Sequence, residues 1–141
     1  MAALTEDRVL VQETGDFNEY PIEAGAKIYR GSSVGQNASG YVRPLIQGDR
    51  FLGHAVAHAD NSDGADGDLS VRVHGPNRYR LKVVVPSLVA DQVGNLVGYE
   101  NDNDLTTSFI GGASIAGRIV RIVDVSSELA IVDFYPCVDP V

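Results

Sequence analysis

The residues with the greatest chemical potential in this chain are two histidines and the acidic run that follows them. They lie in "DRFLGHAVAHADNSDGADGD", residues 49–68. His54 and His58 stand four apart, a spacing that on a helix stacks two imidazoles for zinc, as in HExxH sites. The general-base glutamate of that motif is missing, because Ala55 follows His54. On a strand, residues 54, 56 and 58 share a face and read His–Val–His. The third histidine, His74, meets them only if the fold brings it there. Three histidines without ordered acidic partners do not make a metal site, and none is assigned. The acidic half, "DNSDGADGD", has the composition of a calcium loop but not its frame. An EF-hand needs acids at positions one, three and five and glycine at six. Gly64 would place position one at Ala59, and Gly67 would place it at Ser62. A solvated turn is the expectation, since Asp, Asn and Gly tolerate left-handed backbone.

Other motifs fall short for similar reasons. "GGASIAG", Gly111–Gly117, lacks the glycine that a nucleophile elbow needs two residues after Ser114, where Ala116 stands. It is expected to be a glycine-rich turn. No P-loop and no GxGxxG occurs. Cys137 is the single cysteine, which rules out an intrachain disulfide and a thiolate zinc cluster. It is expected to be a buried structural thiol. No nucleophile, base and orienting group can be assembled from these pieces, so the expectation is a protein without enzymatic activity, cofactor or metal.

These residues must be held by a domain of 141 residues, enough to bury its own core. Hydrophobic residues make up 44% of it, and the net charge is −8. The eleven basic residues look scattered, which argues against nucleic acid as a partner. No apolar run reaches the length of a membrane helix, and the first residues, "MAALTEDRVLVQETGDF", carry early acids and no long apolar core. Synthesis in a cytoplasm and a soluble product are expected.

The fifteen glycines fall mostly between short runs rich in Val, Ile, Tyr and Thr, the pattern of an all-β domain. In "LSVRVHG", Leu69, Val71 and Val73 alternate with Ser70, Arg72 and His74 and share one face; in "YRLKVVVPS", Tyr79, Leu81, Val83 and Val85 alternate with Arg80, Lys82 and Val84. With "GPN" between them, the two read as a β-hairpin. "AKIYRGSSVG" and "GYVRPLIQGD" read as strand, loop, strand, and "DRFLGHAVAHA" as a further strand. "ASIAGRIVRIVDVSSELAIVDFY" reads as two long strands around a turn near Ser126–Glu128. Leu88–Val93 fits a short helical turn, and Asn101–Asp104 a polar loop. Residues 1–22 hold little core-like sequence beyond "RVLVQ" and "YPI" and are read as an extended arm, with a single outlying strand, preceding a β-rich domain over 23–141.

The order of these pieces resembles the capsid cement, or head decoration, proteins of tailed bacteriophages. The resemblance runs from about residue 22 to 85 and rests on Gly31–Gly35, Gly48–Ala55 ("GDRFLGHA"), Gly67–Val73 ("GDLSVRV") and Tyr79–Val83 ("YRLKV"). It implies a small β-barrel-like or β-tulip domain, a homotrimer, bound to the major capsid protein on the outer surface of the virion near local three-fold axes. Such a protein holds the expanded shell against the pressure of packaged DNA and has no enzymatic activity. The arm would then supply capsid contacts. Arg8, Val9, Leu10, Val11 and Gln12 could add a strand to an exposed sheet edge, with Phe17, Tyr20, Pro21 and Ile22 as anchors. The same run could instead be the first strand of the domain, with Tyr20 and Ile22 in its core. Two other functions compete: a β-rich tail component or surface-binding module, and, on weaker grounds, a small hydrolase using His54 or His58.

Overall fold

A computed structural model describes Glu6 and residues 16–137 of the chain. The fold is all-β: among the described residues there are twelve strands and no helix. β1 (Phe17–Pro21), β3 (Ser33–Gln36), β4 (Val42–Pro44), β5 (Arg50–Ala55) and β7 (Ser70–His74) form one antiparallel sheet in the order β1-β7-β5-β3-β4. β8 (Tyr79–Val84), β9 (Leu96–Tyr99), β10 (Leu105–Thr106), β11 (Ser114–Asp124) and β12 (Leu129–Phe134) form a second, in the order β10-β9-β11-β12-β8. β2 (Lys27–Ile28) and β6 (Ala59–Asp60) make a small third sheet. The sheets do not close into a barrel. The opposite edges of the second sheet, β8 and β10, instead both line one cleft.

Alternation along the strands divides the apolar residues between two cores. Val97, Ile119, Ala130, Val132 and Phe134 of the second sheet pack with Leu45 and Phe51. Val34, Leu52, Val71 and Val73 of the first sheet pack with Ile22 and Ile28. β5 runs between the cores: Phe51 belongs to one, Leu52 and Ala55 to the other. Its Gly53 has φ +133°, and a Cβ there would strike the His74 carbonyl, so only glycine permits this close approach of β5 to β7.

Several expectations hold and several are corrected. β11 and β12 pair around the turn after Asp124, and β3 pairs with β4. β7 and β8 lie where alternation places them but do not form a hairpin. β7 pairs with β1 and β5, while β8 pairs with β12 in the other sheet. Period two fixes which face of a strand is buried, not which strand lies beside it. The intervening Gly75 has φ +140°, with Leu52 O and Pro136 Cγ about 3 Å from where a Cβ would stand, and the chain crosses between sheets there. Leu69, assigned to the buried face of β7, lies outside the strand and is exposed. The "DRFLGHAVAHA" strand ends at Ala55 and bends at Val56–Ala57 before β6, so His54 and His58 do not share a strand face. Leu88–Val93 forms turns rather than a helical segment, and Ser114–Gly117 belongs to β11 rather than to the preceding glycine turn. Of residues 1–22, read as an arm with a single outlying strand, Phe17–Pro21 is β1, paired residue by residue with β7, and Ile22 is fully buried.

Candidate functional site

The chemistry anticipated around His54 is a buried hydrogen-bonded cluster. β5 carries His54 to the interface of the two large sheets, where only 7% of it is exposed. β8 and β9 bring Tyr79 and Tyr99 to either side of the ring. His54 Nδ1 lies 2.6 Å from the Tyr79 hydroxyl and Nε2 lies 2.6 Å from the Tyr99 hydroxyl. The Tyr79 oxygen also accepts from the His54 backbone N–H at 3.1 Å. Phe51 and Phe134 pack edge-on against the imidazole at ring centroid distances of 5.3 and 4.6 Å. Burial, reinforced by the charge of His74, pushes the His54 imidazole down to about 4. Burial raises both tyrosines above their ordinary range. At neutral pH all three groups are therefore uncharged. One ring nitrogen donates to its tyrosine oxygen and the other accepts from a hydroxyl. Neither nitrogen is left to take a proton from a substrate, although His54 and Tyr99 reach the wall of a cleft of about 410 Å³ beside β8. The cluster ties the first sheet to the second.

The three histidines do not converge on a metal. His54 and His74 face one another across the β5–β7 pair, a proximity that the linear sequence conceals. The His74 ring, however, stacks on Tyr79 at 4.1 Å, and exposed His58 lies against Tyr29. Among the described residues, no group of three or more His, Cys, Asp or Glu is placed to hold a metal ion. The acidic turn is organised from within. Its Asn61 is buried, and Nδ2 donates to the carbonyls of Ala65 at 3.0 Å and Glu23 at 3.1 Å. Asp66 accepts from the Ala24 N–H and Asp68 from the Ala65 N–H, both at 2.8 Å, while Asp60 accepts from Ser62. These carboxylates are committed to separate backbone donors. Ser114 is fully buried within β11, with no strand-to-helix turn to present its hydroxyl. Cys137 is exposed, a correction to the expected buried thiol: the chain emerges at the surface after its N–H donates to Phe51 O at 2.7 Å.

The residues expected to touch a capsid separate into three groups. Arg8, Val9, Leu10, Val11 and Gln12 lie outside the described residues. Ile22 is 0% exposed and belongs to the core beneath the first sheet, so it cannot serve as a contact without unfolding that core; Tyr20 packs partly against the same cluster. Phe17 and Pro21 remain at the surface on β1, the edge of the first sheet, with Phe17 stacked on His74 at 5.2 Å. Ile22 therefore has the place of ordinary core, and Tyr20 has it in part.

One surface feature is invisible in the linear sequence. The outer face of the second sheet gathers four of the chain's basic residues. Arg80 and Lys82 alternate with the partly buried Tyr79, Leu81 and Val83 on β8. Across β12 they stand opposite Asp133 and Ile131, which in turn face Arg118 and Arg121 of β11. Strict alternation would send Arg118 and Arg121 to opposite faces. A register shift between Ile119 and Arg121 places them on the same one. The β8 half of this feature was readable from period two, but the β11 half required the bulge.

Comparison of the chain with protein-family models, with curated proteins and with solved structures gave no match.

Proposed function

We propose that this chain is a capsid cement protein: a homotrimeric β-domain that binds the major capsid protein outside an expanded phage head, near its local three-fold axes, and performs no catalysis. The observation that carries this reading is the placement of three of the four stretches on which the family resemblance rests; the fourth, Tyr79–Val83, lies in β8 of the second sheet. Gly31–Gly35, Gly48–Ala55 and Gly67–Val73 feed β3, β5 and β7, which are immediate neighbours in the first sheet. Their glycines have structural reasons: a Cβ on Gly35 would overlap Asp49, and one on Gly53 would overlap β7. The pattern thus describes a contiguous sheet rather than a chance spacing of small residues. The closed engagement of both His54 nitrogens supports a non-enzymatic role.

The physical logic is mass action. A protein that binds the expanded shell and not its precursor stabilises the expanded state. Three linked copies make each contact intramolecular after the first, so modest individual affinity suffices. β1 is an edge strand of the first sheet and one place among the described residues where strand addition can occur. The test is co-sedimentation of the purified protein with undecorated expanded shells and with precursor shells. Saturable binding to expanded shells alone, with increased heat resistance of the shell, is expected. Binding to neither shell overturns the reading and favours a tail or surface-binding module.

A further inference from the structure

We propose that the outer face of the β8–β12–β11 sheet docks a protein surface bearing paired carboxylates. The face is unusual for its molecule. The chain carries a net charge of −8, yet Arg80, Lys82, Arg118 and Arg121 surround Ile131 and Asp133 on three adjacent strands. All four cations are exposed. Arg118 gives one N–H to the Gly94 carbonyl. The side chains of Arg80, Lys82 and Arg121 make no ion pair or hydrogen bond among the described residues. The carboxylate at the centre, Asp133, is already paired with Arg78, which stacks on Tyr135 at 4.3 Å. Three other cations are matched on their own surfaces: Arg43 with Asp49 and Glu23, Lys27 with Asp60, Arg72 with Glu19.

The geometry suits an extended acidic segment or an acidic sheet edge. Successive outward residues on a strand are about 7 Å apart, and β8 and β11 flank β12 at about 10 Å from one another. Alternate side chains of an extended peptide repeat at the same distance of about 7 Å, so acids at alternate positions meet Arg80 and Lys82 in register. Half-buried Ile131 between the cations gives the face an apolar centre, which suits a protein interface with a polar rim. Nucleic acid fits less well. The outward residues of these strands include Asp133 and no aromatic ring on which a base could stack. The inference does not depend on the cement reading, because a tail module with this face would take the same partner chemistry.

The test is titration of the isotope-labelled full chain, followed by amide NMR, with poly-L-glutamate and separately with an oligothymidylate of equal charge. Poly-L-glutamate is expected to shift amides of β8, β11 and β12 saturably. Its affinity should fall with added salt and by at least about tenfold in Arg80→Glu/Lys82→Glu. Arg72→Glu, on the other large sheet, should bind poly-L-glutamate no more weakly than the parent. Should the double reversal unfold, Lys82→Gln/Arg121→Gln keeps the test intact, with an expected loss of at least about threefold. Shifts confined to other surfaces, no saturable binding at low salt, unchanged affinity in the folded variants, or equal or tighter binding of the oligothymidylate would each overturn the proposal.

Discussion

Lowering the pH from 7.5 to 5 should weaken this fold through His54 before most carboxylates protonate. In the unfolded chain the imidazole titrates near its ordinary 6.5; in the folded chain, burial and the charge of His74 hold it down to about 4. Between those values the unfolded state binds the extra proton. The stabilisation is therefore complete above about pH 6.5 and is lost as pH falls towards 4. The full difference corresponds to about 3 kcal/mol, and about 2 kcal/mol of it is gone by pH 5. That is a substantial share of the stability of an ordinary domain. Urea unfolding at half-unit steps of pH measures it directly. His54→Gln provides the comparison: it should be less stable at pH 7.5, because it leaves Tyr79 or Tyr99 without its partner, but should lose most of the pH dependence between 6.5 and 5. Parallel stability profiles for parent and variant, or an imidazole that NMR shows protonating near 6.5 in the folded chain, would refute the assignment of His54 as a neutral buried clamp.

Other consequences can be measured alongside. Tyr99→Phe removes one of the two hydroxyls that satisfy His54 and should cost about 1–3 kcal/mol in urea unfolding, without loss of secondary structure by circular dichroism. Gly53→Ala should be much more damaging than an ordinary glycine substitution, by about 3 kcal/mol or more, because φ is +133° and the new Cβ meets the backbone of β7. Asn61→Ala strips three backbone carbonyls of their amide donor and should cost about 2–4 kcal/mol, and calcium should not restore the loss if the turn is held by Asn61 rather than by a cation.

The legibility of this fold followed the range of each interaction. Period-two alternation located β7, β8, β11 and β12 because side-chain direction is a local property of a strand. It could not choose partners. β8 finds β12 rather than its sequence neighbour β7, and the cause lies in which core the inward residues Tyr79, Leu81 and Val83 join. His54 was visible as a residue able to do chemistry, but its neutral, doubly bonded state depends on Tyr79 and Tyr99, 25 and 45 positions away. The bend at Val56–Ala57 separates His54 from His58 without a proline or glycine to announce it. The basic face was hidden because a bulge in β11 changes which way Arg121 points. In the acidic turn, the composition of the carboxylates drew attention away from Asn61, the buried residue that organises it.

The role we propose for this β-domain is recognition of an assembled shell. The most direct measurement is the stoichiometry of purified protein bound to undecorated expanded shells, with precursor shells measured in parallel. Saturation at three copies per local three-fold site on expanded shells, none on precursors, and a higher disruption temperature for decorated shells are expected. Equal binding to both shells, or none to either, would contradict it.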